Sequence, residues 1–119
     1  AGVNTTDEIL HVGCGNSELT EALWRAGFSR VTHLDYSQVV ISQVTSRVKL
    51  PGHSFVVGDM TALTFADSSF DVVIDKGALD AVCTGGKRHG RKAIREIARI
   101  LRAGTGRYVM ASMAGPERR

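Results

Sequence analysis

The chain has little that would staple, span or stiffen it. Of its 119 residues, two are cysteines, two are prolines and one is tryptophan. Cys14 and Cys83 make neither a CxxC pair nor a metal-ligand spacing, which argues against a disulfide-framed miniature fold and a zinc module. Two thiols without such a framework fit a reducing compartment, so a cytoplasmic location is the expectation. No apolar run reaches the roughly 18 to 20 residues of a membrane span. Residues 1–8 lack the basic flank and apolar stretch of a signal peptide. His33, His53 and His89 show no convergent spacing with cysteines or acids, so no metal site is expected, and His11, inside a strand, reads as a core or sheet-edge histidine. There is no internal repeat and no low-complexity tract.

What is present is an ordinary globular composition, 43% hydrophobic and 23% charged, in a length that suits one domain with a real core over residues 1–119. The formal net charge is +3, and much of the basic excess sits between Lys87 and Arg102. Such a run reads as a solvated helix face, with an acidic protein surface or a nucleic acid as the partners it would suit.

Two hydrophobic periods alternate along the chain. Ile9 to Val12 is a short apolar run that stops at Gly13, as a buried strand does. Ser17 can cap a helix with Leu19, Leu23 and Ala26 on one face and Gly27 as its stop. Val31 to Leu34 predicts a second strand ending at Asp35, and Ser37 can cap a helix carrying Val40, Ile41, Val44 and Val48 inward until Pro51-Gly52. Phe55 to Val57 predicts a third strand, Phe70 to Ile74 a fourth ending at Asp75, and Tyr108 to Ala111 a fifth. Ile94, Ile97, Ala98 and Leu101 mark the helix before the fifth, and the glycine- and base-rich stretch from Thr84 to Gly90 is expected to be a loop. Strands alternating with helices, each strand nearly all apolar, predict an α/β fold: a Rossmann-like doubly wound parallel sheet covered on both faces. Right-handed crossovers then bring Gly13-Cys14-Gly15, Asp35, Asp59 and Asp75 to one edge, where such sheets bind ligands.

Val12 to Ser17 joins the first strand to the first helix through a GxG turn, the context a nucleotide-binding turn requires. A dinucleotide site wants a third glycine so that pyrophosphate can sit on the helix N-terminus, but the third position here is Glu18. A carboxylate disfavours pyrophosphate and tolerates a sulfonium, so S-adenosylmethionine is the expected cofactor over NAD. Gly13, Cys14, Gly15 and Asn16 are its expected turn contacts, Cys14 through its backbone. Asp35, about twenty residues beyond the turn, can accept both ribose hydroxyls. Tyr36 can pack on the adenine or cover the sheet edge. Asp59 can accept the adenine amino group, and Met60 offers backbone and a soft apolar contact. Asp75 would lie beside the first strand, facing the methionine end of the cofactor or the incoming nucleophile, and Lys76 follows it.

Val12 to Ser17, Asp35-Tyr36-Ser37, Asp59-Met60, Asp67 to Val73 and Asp75 to Ala81 follow one another in a pattern that resembles the class I, seven-strand S-adenosylmethionine-dependent methyltransferases. Within that class the chain is similar to the branch that methylates lysines and the N-terminus of translation elongation factor 1-alpha, and the likeness runs from Ile9 to Met113. The resemblance implies a donor site of the glycine turn, Asp35, Tyr36, Asp59, Met60, Asp75 and Lys76, with a protein lysine or N-terminal amine as acceptor and Asp75 and Lys76 as acceptor-side catalytic candidates. With five strands legible, the expectation is a class I core lacking its last strands at the C-terminus. Two other functions fit parts of the pattern: a catalytically silent scaffold of this fold binding protein or RNA, and an NAD(P)-dependent oxidoreductase, which Glu18 and Asp59 oppose.

Overall fold

Ile9–Val12 (β1) is buried at every position, so neither of its faces can be wet and both need a cover. The computed structural model describes residues 3–14, 18–75, 77–84 and 86–110 and supplies those covers. Five parallel strands make one sheet in the order β3-β2-β1-β4-β5. Its other members are Val31–Asp35 (β2), His53–Val57 (β3), Val72–Asp75 (β4) and Arg107–Met110 (β5). The helices are Glu18–Arg25 (α1), Gln38–Arg47 (α2), Ala78–Cys83 (α3) and Lys87–Ile100 (α4).

Alternate residues of β1 feed two cores. Leu10 and Val12 join Leu34, Val73, Met60, Leu63 and Phe70 beneath Ala93, Ile97 and Ile100 of α4. Ile9 joins Val31 and Val72 beneath Leu23 of α1. The order of strands reverses direction at β1, which pairs with β2 on one side and β4 on the other. That reversal opens a crevice at the carboxyl ends of the strands.

Ser37 caps α2 as expected, accepting from the Val40 amide at 3.2 Å. Ser17 lies outside the described residues. Two expectations are corrected. Most of the stretch from Thr84 to Gly90 is helical, because α4 begins at Lys87, and α3 precedes it. The inward face of α4 is Gly90, Ala93, Ile97 and Ile100, leaving Ile94 51% exposed. The 3-4-3 spacing of those positions follows the helical period, and Gly90 heads the row because a Cβ there would come within 2.7 Å of Cys83 Sγ.

On the α1 side of the sheet, three histidines form a ladder in which His11 and His33 are buried. His11 and His33 stand opposite each other in register. Their Nδ1 atoms are 2.9 Å apart, and His33 Nε2 is 2.8 Å from His53 Nδ1. His53 Nε2 stands 2.7 Å from the Phe28 carbonyl, which can only accept. With all three rings neutral this fixes every proton: His53 donates to Phe28, His33 Nε2 donates to His53, and His11 Nδ1 donates to His33. Phe55 stacks on His33 at 4.9 Å between centroids. No helix among the described residues is long and apolar enough to cross a membrane.

Candidate functional site

The crevice is a cavity of about 490 Å³ lined by residues that follow four of the strands. Gly13 comes from the turn after β1, Leu34, Asp35 and Tyr36 from the end of β2, Gly58 to Thr61 from the turn after β3, Ala78 and Val82 from α3, Thr84 from the turn that follows it, and His89 from α4. Its size is that of a small-molecule site, which runs roughly 300 to 1,000 Å³.

The glycine turn hangs on β2. Both the Gly13 and Cys14 amides donate to the Leu34 carbonyl, at 2.8 and 3.2 Å. Gly13 holds a φ of +68°, and a Cβ on it would come within 2.7 Å of Ala78 Cβ. Glycine is therefore required twice over, for left-handed backbone and for close approach of α3. Gly13→Ala is expected to destabilise the protein by about 1 to 3 kcal/mol, read as a lowered urea midpoint. A midpoint equal to wild type would show that α3 is free to retreat.

Asp35 is held by its own corner: Oδ1 accepts from the Ser37 amide at 2.9 Å, and its carbonyl accepts from Gly58 at 2.9 Å. The carboxyl end of β2 is thereby tied to the turn after β3. Tyr36 is 79% exposed at the cavity rim. Asp59 Oδ1 accepts from both the amide and the hydroxyl of Thr61, at 2.8 and 2.7 Å. Those two bonds hold its carboxyl below the usual range, with His89 and Lys92 adding to the effect. Met60 is buried beneath it.

A clamp from α4 steadies the residues that follow. Arg99 donates to the Leu63 and Phe65 carbonyls at 2.9 and 2.8 Å and pairs with Asp67 at 2.8 Å and Glu96 at 2.9 Å. Glu96 in turn accepts from the Leu63 amide at 2.7 Å. The Arg99 hydrogen bond holds the Glu96 carboxyl below its ordinary value.

Five of the expected site residues meet on the cavity wall: Gly13, Asp35, Tyr36, Asp59 and Met60. Gly15, Asn16 and Lys76 lie outside the described residues. Cys14 and Asp75 are fully buried, and neither is part of the described lining. Asp75 does lie beside the first strand, in register with Val12. Its carboxylate, however, accepts from the Ala78 amide at 2.6 Å, the Leu79 amide at 3.1 Å and the Tyr108 hydroxyl. It is turned to the start of α3 and to β5. Sequence reasoning missed Leu34, Gly58, Thr61, Ala78, Val82, Thr84 and His89. Thr61 carried a legible signal, since an Asp followed two residues later by Thr favours a side-chain-closed turn. His89 carried none, because its place depends on where α4 starts.

The chemistry of this lining can be compared with what it would hold. Two carboxylates stand at neighbouring strand ends, and Glu18 opens α1. Asp35 and Asp59 suit hydroxyl and amino donors and a cationic centre, and oppose a pyrophosphate. Among the described residues no group of three or more acids, histidines or cysteines is arranged to hold a metal ion.

Comparison with known proteins identifies the family. Residues 10–109 match the family model described as a methyltransferase domain. The chain is 41% identical over 118 residues to the eEF1A lysine and N-terminal methyltransferase of Mus musculus, covering 94% of this chain and 17% of that protein. It is 38% identical to EEF1A lysine methyltransferase 4 of Mus musculus, covering 92% of this chain and 47% of that one. The chain thus spans less than a fifth of the first relative and about half of the second. A solved structure of SAM-dependent methyltransferases from Methanosarcina mazei superimposes with a TM-score of 0.73 at 27% identity, covering 87% of this chain and 51% of that one.

Proposed function

The chain belongs to the methyltransferase-domain family, and from that premise we propose that it transfers the methyl group of S-adenosylmethionine to a lysine or N-terminal amine of a protein. The observation that carries the reading is the pair Asp35 and Asp59 on the wall of a cavity that begins at the Gly13 turn. The relatives' names support a translation elongation factor as the acceptor protein, and a cytoplasmic place of work follows from such an acceptor.

The cofactor supplies a methyl group already activated on a sulfonium. This chain's part is to hold, orient and desolvate. Asp35 would take the ribose hydroxyls, Asp59 the adenine amino group and Tyr36 the adenine face. Met60, Leu34 and Val82 supply apolar wall. Gly13 and Cys14, with Gly15 and Asn16, would set the backbone against the methionyl half. An acceptor lysine, with an ordinary pKa of about 10.4, has to lose its proton first. Burial beside a cationic sulfonium favours that loss, so the chain needs no dedicated base. We read Asp75 as a positioning residue that sets α3, which carries Ala78 and Val82 of the wall, and Lys76 as the remaining acceptor-side candidate.

Calorimetry with S-adenosylhomocysteine tests the donor site. The wild type is expected to bind, and Asp35→Ala to bind about tenfold to a hundredfold more weakly, the worth of one or two hydrogen bonds to a charged group. Absence of binding by the wild type would sink the cofactor reading, and equal binding would sink the role of Asp35.

A further inference from the structure

Resting on that amine-transfer reading, we infer that the outer face of α4 docks an acidic segment of the acceptor protein. Lys87, Arg88, Arg91 and Arg95 are exposed, and none of them makes an ion pair or hydrogen bond with the described residues. The contrast with other arginines is sharp. Arg25, Arg30, Arg47, Arg99 and Arg102 each stand within 4.0 Å of a carboxylate. Glu96, the one acid in the sequence of α4, is taken by Arg99 and the Leu63 amide.

The cations form a stripe rather than a scatter. Arg88, Arg91 and Arg95 fall three and four residues apart on one face, a run of about 10 Å. The stripe begins where the cavity opens: His89 lines the cavity, and Lys92 acts with it on Asp59. Like charges at these spacings weaken a helix, and an anionic partner relieves that repulsion. Ile94, 51% exposed beside the arginines, adds an apolar contact of the kind a protein surface uses. The sequence of α4 holds no phenylalanine, tyrosine or tryptophan on which nucleic-acid bases would stack, which favours protein over RNA.

The stripe also has a bearing on the acceptor. A lysine ammonium that approaches the cavity from the α4 side passes exposed cations. Carboxylates flanking it would dock on Arg88, Arg91 and Arg95 and cancel the repulsion, so an amine among acidic neighbours is selected over one among neutral or basic neighbours.

Fluorescence anisotropy on the full chain decides the matter. One labelled peptide carries a lysine between glutamates, a second of equal length carries it between glutamines, and a third probe is single-stranded RNA. The glutamate peptide is expected to bind about tenfold more tightly at low salt, with the advantage shrinking as salt rises. Arg88→Glu/Arg91→Glu/Arg95→Glu should abolish or reverse the preference while leaving S-adenosylhomocysteine affinity unchanged. Equal binding of the two peptides overturns the inference. So does RNA binding that the triple variant abolishes while peptide binding is indifferent to it. Docking is read with and without S-adenosylhomocysteine, so a failed donor site shows in calorimetry and a failed docking face in anisotropy.

Discussion

Between pH 6.5 and 3 the protein is expected to lose roughly 4 to 5 kcal/mol of stability through His33 alone. Burial first, and then His11 and His53 as neighbours that would share its charge, together lower the pKa of His33 from 6.5 to about 3. In this window the unfolded chain binds a proton that the folded chain refuses. Stability is therefore full above pH 6.5 and falls as the pH drops toward 3. The geometry says why refusal is strong. Both ring nitrogens of His33 face ring nitrogens of other histidines. A charged His33 would need both to accept, which forces His11 to move its proton to the other nitrogen in a dry interior. Urea unfolding at a series of pH values measures the slope, and His33→Phe supplies the control. The variant can start less stable, because it strands the His53 and His11 nitrogens, but its slope between pH 6.5 and 4 should be flatter. Parallel slopes for the two proteins would show that acid sensitivity arises elsewhere, in paired carboxylates such as Glu96.

The second large effect is expected at Asp75. Asp75→Ala should cost about 3 to 5 kcal/mol, because it removes the buried acceptor of three bonds, from the amides of Ala78 and Leu79 and the hydroxyl of Tyr108. Tyr108→Phe removes only one partner and should cost about 1 kcal/mol. Asp75→Asn separates frame from chemistry. An amide keeps an oxygen for the α3 start and turns a nitrogen toward Tyr108, so most of the stability should remain. Turnover that collapses in Asp75→Asn at retained stability and retained cofactor affinity would return Asp75 to the acceptor side. Turnover that tracks stability across all three variants fits a residue that sets α3 against Gly13.

Strand ends, glycine turn and two of the acids were legible because their signals are local. A buried strand announces itself by consecutive apolar residues, and the residue after it inherits its place at the sheet edge. Gly13, Asp35 and Asp59 could be assigned to one edge from connectivity alone, since crossovers in parallel sheets share a hand. Asp75 was legible to the same degree and still met different partners. Its position at the end of β4 follows from sequence, but its contact with Tyr108, 33 residues on, does not. The start of α4 was hidden for a related reason. Gly86 and Gly90 read as loop, yet Gly90 sits in the helix, where its lack of a side chain leaves room for Cys83.

Period, and residues that neighbour one another along the chain, were enough to set the α/β alternation, the parallel sheet and the edge at which the candidate site lies. Packing between distant segments decided that His11, His33 and His53 share one ladder, that Asp75 faces inward while Asp35 and Asp59 line the cavity, and that Lys87, Arg88, Arg91 and Arg95 make no ion pair among the described residues. Those outcomes depend on register between strands and on how a helix turns against a sheet, and both are set by packing between segments far apart in the chain.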